Sequence, residues 1–194
     1  MAEGARERGK ARRRQAILRA AYELFAERGF EATTIADIAE RAEVSPRTVT
    51  LYFPAKLDLA TSHLADFTDD LSRAVDGRAD GVSALEALEN WLRQDLAEND
   101  GRDELDELWE LMLDRNPQLR AVANSRLAEA IQEGARIFAA EHGSAPDDFV
   151  PRMVAAAAAA VISEVCLRPS EANLEAAMAF LSAGIATLPG GRPS

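Results

Sequence analysis

The chain has 194 residues, 47% of them hydrophobic, and a formal net charge of −11, which allows one domain or two small ones with a real core and excludes a disordered chain. A single cysteine, Cys166, excludes an internal disulfide framework and a cysteine-built zinc site. The arginine-rich start lacks the apolar segment of a signal peptide. The longest strictly apolar run, 153–162, falls short of the ~20 residues that span a bilayer, so a soluble cytoplasmic protein without membrane attachment is expected.

Helical periodicity runs through the chain and no segment reads as a strand, so the expected class is all-α, with about nine helices. From 11 to 28, Ile17, Ala21, Leu24 and Phe25 form one stripe, ended by Gly29. Thr33 and Thr34 can cap a second helix whose apolar positions are Ile35, Ile38, Ala39 and Ala42. After Glu43-Val44-Ser45 comes a short helix with Ser45 as N-cap and Pro46 in its first position. Pro54 restarts the chain into a helix to about Val75. The loop 76–83 leads to a stripe of Leu85, Leu88, Leu92 and Leu96, with Ser83 as the cap. A turn at 98–104 precedes a short helix with Leu105, Leu108, Trp109 and Met112. Asn116-Pro117 interrupts, and helices follow to about Glu141, over 148–167 and over 171–188. The tail PGGRPS is expected to fray.

Residues 35–53 therefore read as helix, three-residue turn, helix. A DNA-binding helix-turn-helix needs a small residue at the crossing, here Ala39. It needs apolar residues to lock the crossing angle, here Ile38, Ala42, Val44 and Val49. It needs a tight turn and a polar outer face on the second helix. Glu43 stands where glycine usually allows a left-handed turn, and that conformation would cost it about 1 kcal/mol. On the outer face, Arg47 can bond a guanine edge and Leu51 can touch a thymine methyl, while Thr48 and Thr50 suit bases or phosphates. Thr34, Ser45, Tyr52 and Lys56 fall near helix ends, where phosphate contacts are usually made. The charge is uneven: residues 1–14 hold six basic and two acidic groups, and residues 61–194 carry a net −13. A basic end on an acidic body can approach a polyanion while the body repels it.

The signatures LFAERGFEATT, IADIAERA and VS..T...YFPAK, all within residues 20–59, strongly resemble the N-terminal DNA-binding region of the TetR (tetracycline-repressor) family. The resemblance implies an all-helical homodimer that represses transcription and leaves its operator, an inverted repeat in double-stranded DNA, when a small molecule binds. It implies a helix-turn-helix domain over 1–60 with a basic arm, and a ligand-binding and dimerisation domain over 61–194. It also implies a recognition helix at 46–52 and phosphate-gripping positions at Thr34, Tyr52 and Lys56. Glu43, Thr50 and Leu51 depart from the family's usual residues, so base preference cannot be carried over.

In the rest of the chain, Leu174, Met178, Leu181, Ile185 and Leu188 alternate by four and three, an a/d seam. Val150, Val154, Ala157 and Val161 offer another. Two such helices from each of two chains would make a four-helix interface; alternatively, both seams pack into their own core. The resemblance favours the dimer. Trp91, Trp109, Met112, Phe138 and Met153 can line an apolar pocket for a small hydrophobic effector, and each would serve equally as core. The stretch from Asn116 and the alanine-rich helix after it also resemble family members with acyl-CoA-like ligands. No enzyme, cofactor or metal is expected. His63 and His142 lack metal-ligand spacing, Cys166 sits in an apolar helix, and no phosphate-cradling glycine loop is present. The alternative function is a helical small-molecule binding or carrier protein.

Overall fold

The computed structural model of the protein describes residues 2–98 and 104–188. Among them every regular element is an α-helix: α1 (Ala2–Arg28), α2 (Ile35–Arg41), α3 (Pro46–Tyr52), α4 (Lys56–Asp76), α5 (Ala84–Glu98), α6 (Glu104–Arg115), α7 (Pro117–His142), α8 (Phe149–Leu167) and α9 (Glu171–Ala186). The all-α class and its order follow the sequence pattern. Most of the turn expected at 98–104 and the whole of the PGGRPS tail lie outside the described residues. The largest difference is α1, which begins at Ala2 rather than near residue 11. Apolar periodicity starts only at Ile17, and residues 6–16 before it are mostly exposed and rich in arginine.

The helix ends are set by local chemistry. At Gly29 the backbone turns left-handed, φ 87°, where glycine meets no Cβ penalty, and its N–H closes α1 on the Phe25 carbonyl at 3.0 Å. Ser83 and Glu86 form a capping box at the start of α5, with Ser83 N–H donating to Glu86 Oε2 (2.8 Å) and Glu86 N–H to Ser83 Oγ (3.2 Å). Ser170 Oγ accepts from Asn173 N–H at 3.1 Å and caps α9.

The chain divides into two compact units. One comprises Met1–Ala65 with Glu104–Asn124; the other comprises Asp66–Asp103 with Ser125–Ser194. The first therefore takes α6 and the start of α7 in addition to the helix-turn-helix segment. Its core joins Ile17, Leu24 and Phe25 of α1 to Ile38 and Ala39 of α2, Val49 of α3, and Met112 and Leu113 of α6. The second is built on Leu88 and Leu92 of α5, Ile162 and Val165 of α8, and Leu174, Met178 and Leu181 of α9. Cys166 is half-buried against that core.

This packing buries part of the expected dimer seam within one protomer. Leu174, Met178 and Leu181 are buried in their own protomer, as is Val154, while Ala157, Val161 and Ile185 are half-buried. A stripe repeating by four and three needs only an apolar neighbour, and α5 and α8 already supply one. Helix α8 is 19 residues long with a mean hydropathy of 1.7, enough by length and composition to cross a membrane. It is the one such helix among the described residues, and it extends past the apolar run of 153–162, which Arg152 and Ser163 bound. Its Val154, Ala155, Ile162 and Val165 are buried within the protein.

Candidate nucleic-acid interface

Two interlocked caps fix the helix-turn-helix. Thr34 is the N-cap of α2: its Oγ1 accepts from Asp37 N–H (3.2 Å), and Asp37 Oδ2 accepts from Thr34 N–H (2.8 Å) and from the Thr34 hydroxyl (2.7 Å). The Thr34 hydroxyl, and then its amide, hold the Asp37 carboxyl below the usual aspartate range. At the other end of α2, Glu43 is left-handed, φ 53°. Its N–H reaches the Glu40 carbonyl (3.1 Å) and the Val44 N–H reaches Ala39 (2.9 Å). Those two bonds make a Schellman motif, with Val44 packed on the core beneath it. The turn thus takes the conformation that glycine would favour, without glycine.

Helix α3 starts at Ser45, whose Oγ accepts from Thr48 N–H (3.1 Å) and lies 2.8 Å from Thr48 Oγ1. Val49 is fully buried and anchors α3 on Ile38 and Ala39. That single anchor turns Arg47, Thr50 and Leu51 outward. Leu51 is 81% exposed, the most exposed large hydrophobic among the described residues. Thr50 Oγ1 donates back to the Arg47 carbonyl at 3.1 Å. Tyr52 is half-buried beside Phe53, ring centroids 6.5 Å apart. Thr34 and Ser45 are exposed at the helix starts.

Lys56 stands apart from the others. Its Nζ donates to the carbonyls of Phe30 (2.7 Å) and Thr33 (2.9 Å) and sits 4.3 Å from the centroid of the Phe30 ring. Two of its three protons thus tie down the α1–α2 turn. Arg41 fastens α2 to α1 through Glu23 (2.9 Å) and Glu27 (3.1 Å). Its hydrogen bond is the main reason the Glu27 carboxyl is held below the usual glutamate range.

Sequence reasoning missed Asn116, taken only as part of a helix break. It is 1% exposed. Its Oδ1 accepts from Phe30 N–H (2.7 Å), and its Nδ2 donates to the carbonyls of Phe25 (2.9 Å) and Met112 (2.8 Å). One side chain thereby clasps the end of α1, the turn after it and the end of α6. An asparagine before proline at a helix start was the only signal in the sequence, and it cannot reveal burial.

The five expected pocket residues divide between the two units, Trp109 and Met112 in the first and Trp91, Phe138 and Met153 in the second. Met112 is fully buried in the first unit's core. Trp109 packs there too, 4.9 Å from the His63 ring, and its indole Nε1 is buried without a hydrogen-bond partner. Trp91 meets Phe67 edge-to-face at 5.0 Å in the second unit, and Met153 is exposed. Only Phe138 lines a cleft of about 340 Å³ in the second unit, with His142, Asp148, Phe149, Pro151 and Leu188. The His142 ring stacks on Phe138 at 3.9 Å. Among the described residues no group of three or more His, Cys, Asp or Glu side chains could hold a metal ion.

A helix-turn-helix whose second helix presents an exposed outer face, in a chain whose regular elements among the described residues are all α-helices, is the arrangement by which DNA-binding regulators enter the major groove. Residues 17–62 match the family described as bacterial regulatory proteins, tetR family, and residues 97–188 match the MftR C-terminal domain. The chain is 34% identical over 191 residues to the HTH-type transcriptional regulator TcmR of Streptomyces glaucescens, covering 93% of this chain and 84% of that one. It is 38% identical over 84 residues to the HTH-type transcriptional repressor KstR2 of Rhodococcus jostii (strain RHA1), 41% of each chain. Among solved structures, NalD, the secondary repressor of the MexAB-OprM multidrug efflux pump in Pseudomonas aeruginosa, superposes with a TM-score of 0.55 at 21% identity, over 90% of this chain and 95% of that one. A SmeT–triclosan complex superposes with a TM-score of 0.57 at 19% identity, over 89% and 90%; at these identities the likeness is one of fold. The chain belongs to the tetR family of bacterial regulatory proteins.

Proposed function

We propose that this chain is a cytoplasmic repressor that binds an inverted repeat as a homodimer and leaves it when a small hydrophobic molecule binds, with no enzymatic step. The observation that carries the DNA half is the outward set of Arg47, Thr50 and Leu51 on a helix fixed by Val49. A leucine so exposed gains from a thymine methyl what it loses in water. Thr34, Ser45, Thr48, Tyr52 and the one remaining proton of Lys56 grip phosphates around it. The helix-turn-helix domain is taken as residues 1–60 and the ligand-binding and dimerisation domain as 61–194.

The dimer forms through the outer faces of α8 and α9 rather than their buried stripes. Ala156, Ala160 and Leu167 of α8 and Ala176, Phe180 and Ala183 of α9 are exposed. Phe180 is 65% exposed. Small residues flanking large apolar ones suit close helix packing against a second copy.

The effector reading rests on relatives. SmeT has been solved with triclosan, and an acyl-CoA-like ligand is the further class to test. Such a ligand must favour a conformation that does not bind DNA, or it cannot release the operator. Helix α4, one unbroken helix with residues in each unit, is the lever.

The experiment is selection of binding duplexes from a random-sequence pool. The wild-type protein should enrich an inverted repeat. Arg47→Ala should relax preference at one base position per half-site, at a cost of about 1–3 kcal/mol. An unchanged preference removes Arg47 from the readout. If no duplex is enriched, the carrier function stands instead.

A further inference from the structure

The cleft of the second unit lies where helix ends meet. Phe138 and His142 belong to the end of α7, Phe149 and Pro151 to the start of α8, and Leu188 follows α9. Its volume of about 340 Å³ falls within the roughly 300–1,000 Å³ of small-molecule sites. Much of the lining is apolar: Phe138 and Pro151 are buried and Leu188 is half-buried. The His142 imidazole stacks on the Phe138 ring, centroids 3.9 Å apart and planes 15° from parallel. Phe149 is 78% exposed, so an occupant can take apolar surface out of water there.

The polar groups decide what that occupant is. His142 Nδ1 lies 2.9 Å from the Phe138 carbonyl. A carbonyl only accepts, so Nδ1 carries the proton and Nε2 of the neutral ring is an acceptor. Asp148 is the one carboxylate in the lining. Its Oδ2 accepts from the Ala145 N–H at 3.1 Å, and it makes no side-chain cap bond to α8, although it is that helix's N-cap residue. Glu141, one residue before His142, is engaged elsewhere: its Oε1 accepts from Arg78 (3.0 Å) and from the Ala84 N–H (2.8 Å). Ser144 adds a hydroxyl, which donates or accepts. The start of α8 favours a negative charge, and Asp148 already supplies one; Pro151 has no N–H to offer an anion.

A carboxylate and a ring nitrogen that both accept call for an occupant that donates. The aromatic faces suit a positive charge, and the apolar lining suits hydrocarbon. We infer that this cleft binds a protonated amine with an apolar body, its ammonium on Asp148 and His142 Nε2 and its hydrocarbon against Phe138, Phe149 and Leu188. The inference rests on the small hydrophobic effector proposed above and names its charge class. A fatty acid or an acyl-CoA-like anion would bring acceptors to acceptors and a second negative charge to Asp148.

The test titrates the full-length protein, without DNA, by calorimetry against phenylbutylamine, phenylbutanol and phenylbutanoate. These probes share one apolar body and differ in charge. The amine should bind most tightly and the acid least. Asp148→Asn removes the charge and keeps the shape. It should weaken the amine by about fivefold to tenfold, between the worth of an exposed ion pair and that of a buried charged hydrogen bond, and leave the alcohol unchanged. Asp147→Asn removes the same charge from an exposed neighbour outside the lining and should change neither. Phe149→Ala should weaken all three alike. Asp148 and Phe149 are both exposed, and circular dichroism checks that each variant folds. Acid binding as tight as the amine overturns the proposal and gives the cleft to anions at the start of α8. An amine preference that survives Asp148→Asn, or falls equally in Asp147→Asn, overturns it too, since the amine then follows the chain's net charge of −11. So does binding of none of the three. Because no arm needs DNA, failure of the wild-type protein to enrich a duplex bears on the DNA-binding function alone.

Discussion

At the scale of single residues, the turn at Glu43 shows how much a motif can be strained without being lost. The position of the turn was legible in advance, four residues after the small crossing residue Ala39, and the structure gives Glu43 a φ of 53° there. The compensation was also local: two backbone bonds and the packing of Val44 hold the turn. Glu43→Gly should therefore raise stability by up to about 1 kcal/mol, since glycine adopts this conformation without a Cβ clash. A higher urea midpoint at unchanged slope would show it. A lower midpoint would mean that the glutamate side chain stabilises the turn by more than its strain. Lys56 was not legible in the same way. Its partners are carbonyls 26 and 23 residues earlier, and a lysine in a sequence shows charge but not what it touches.

At the scale of elements, the stripes of α1, α2, α5, α6, α8 and α9 were visible because burial selects a period of 3.6, while α4 and α7 were read as helices without a stripe. What covers a stripe was not visible. The repeat through Leu174, Met178 and Leu181 satisfies a partner chain or its own core equally, and the structure gives it α5 and α8. The start of α1 was hidden for the converse reason: without apolar residues there is no period to see, though the helix continues. Asn116 belongs to this scale because it joins elements rather than forming one. Asn116→Ala would remove the side-chain partner of the Met112 carbonyl and of the Phe30 N–H in a buried site, and one of the two donors to the Phe25 carbonyl, which keeps the Gly29 N–H. It should cost about 1–3 kcal/mol, measured by chemical denaturation. A change near zero would show that water replaces the amide.

At the scale of the molecule, the compact units do not follow chain order. The first takes residues 104–124 from the middle of the sequence. The stripe of Leu105, Leu108, Trp109 and Met112 would look the same in either core, so periodicity could not assign it. Assembly follows a similar logic. Phe180→Asp places a charge on an exposed face and should leave a folded monomer by light scattering, with operator affinity much reduced. Leu181→Asp places one in the protomer's own core, where an unpaired charge costs several kcal/mol, and should unfold the chain instead. A stable Phe180→Asp dimer would move the interface off α9.

The chain contains two tryptophans, and the structure puts one in each unit: Trp109 against His63, Trp91 against Phe67. Each unit therefore carries its own fluorophore with its own neighbouring ring. The imidazole of His63 lies tilted against the Trp109 indole at 4.9 Å, whereas the Phe67 phenyl meets the Trp91 indole edge-on at 5.0 Å. Two emitters with separable responses report independently on the part of the chain that reads DNA and on the part that carries α8 and α9. An optical titration can then reveal which of them a ligand reaches first.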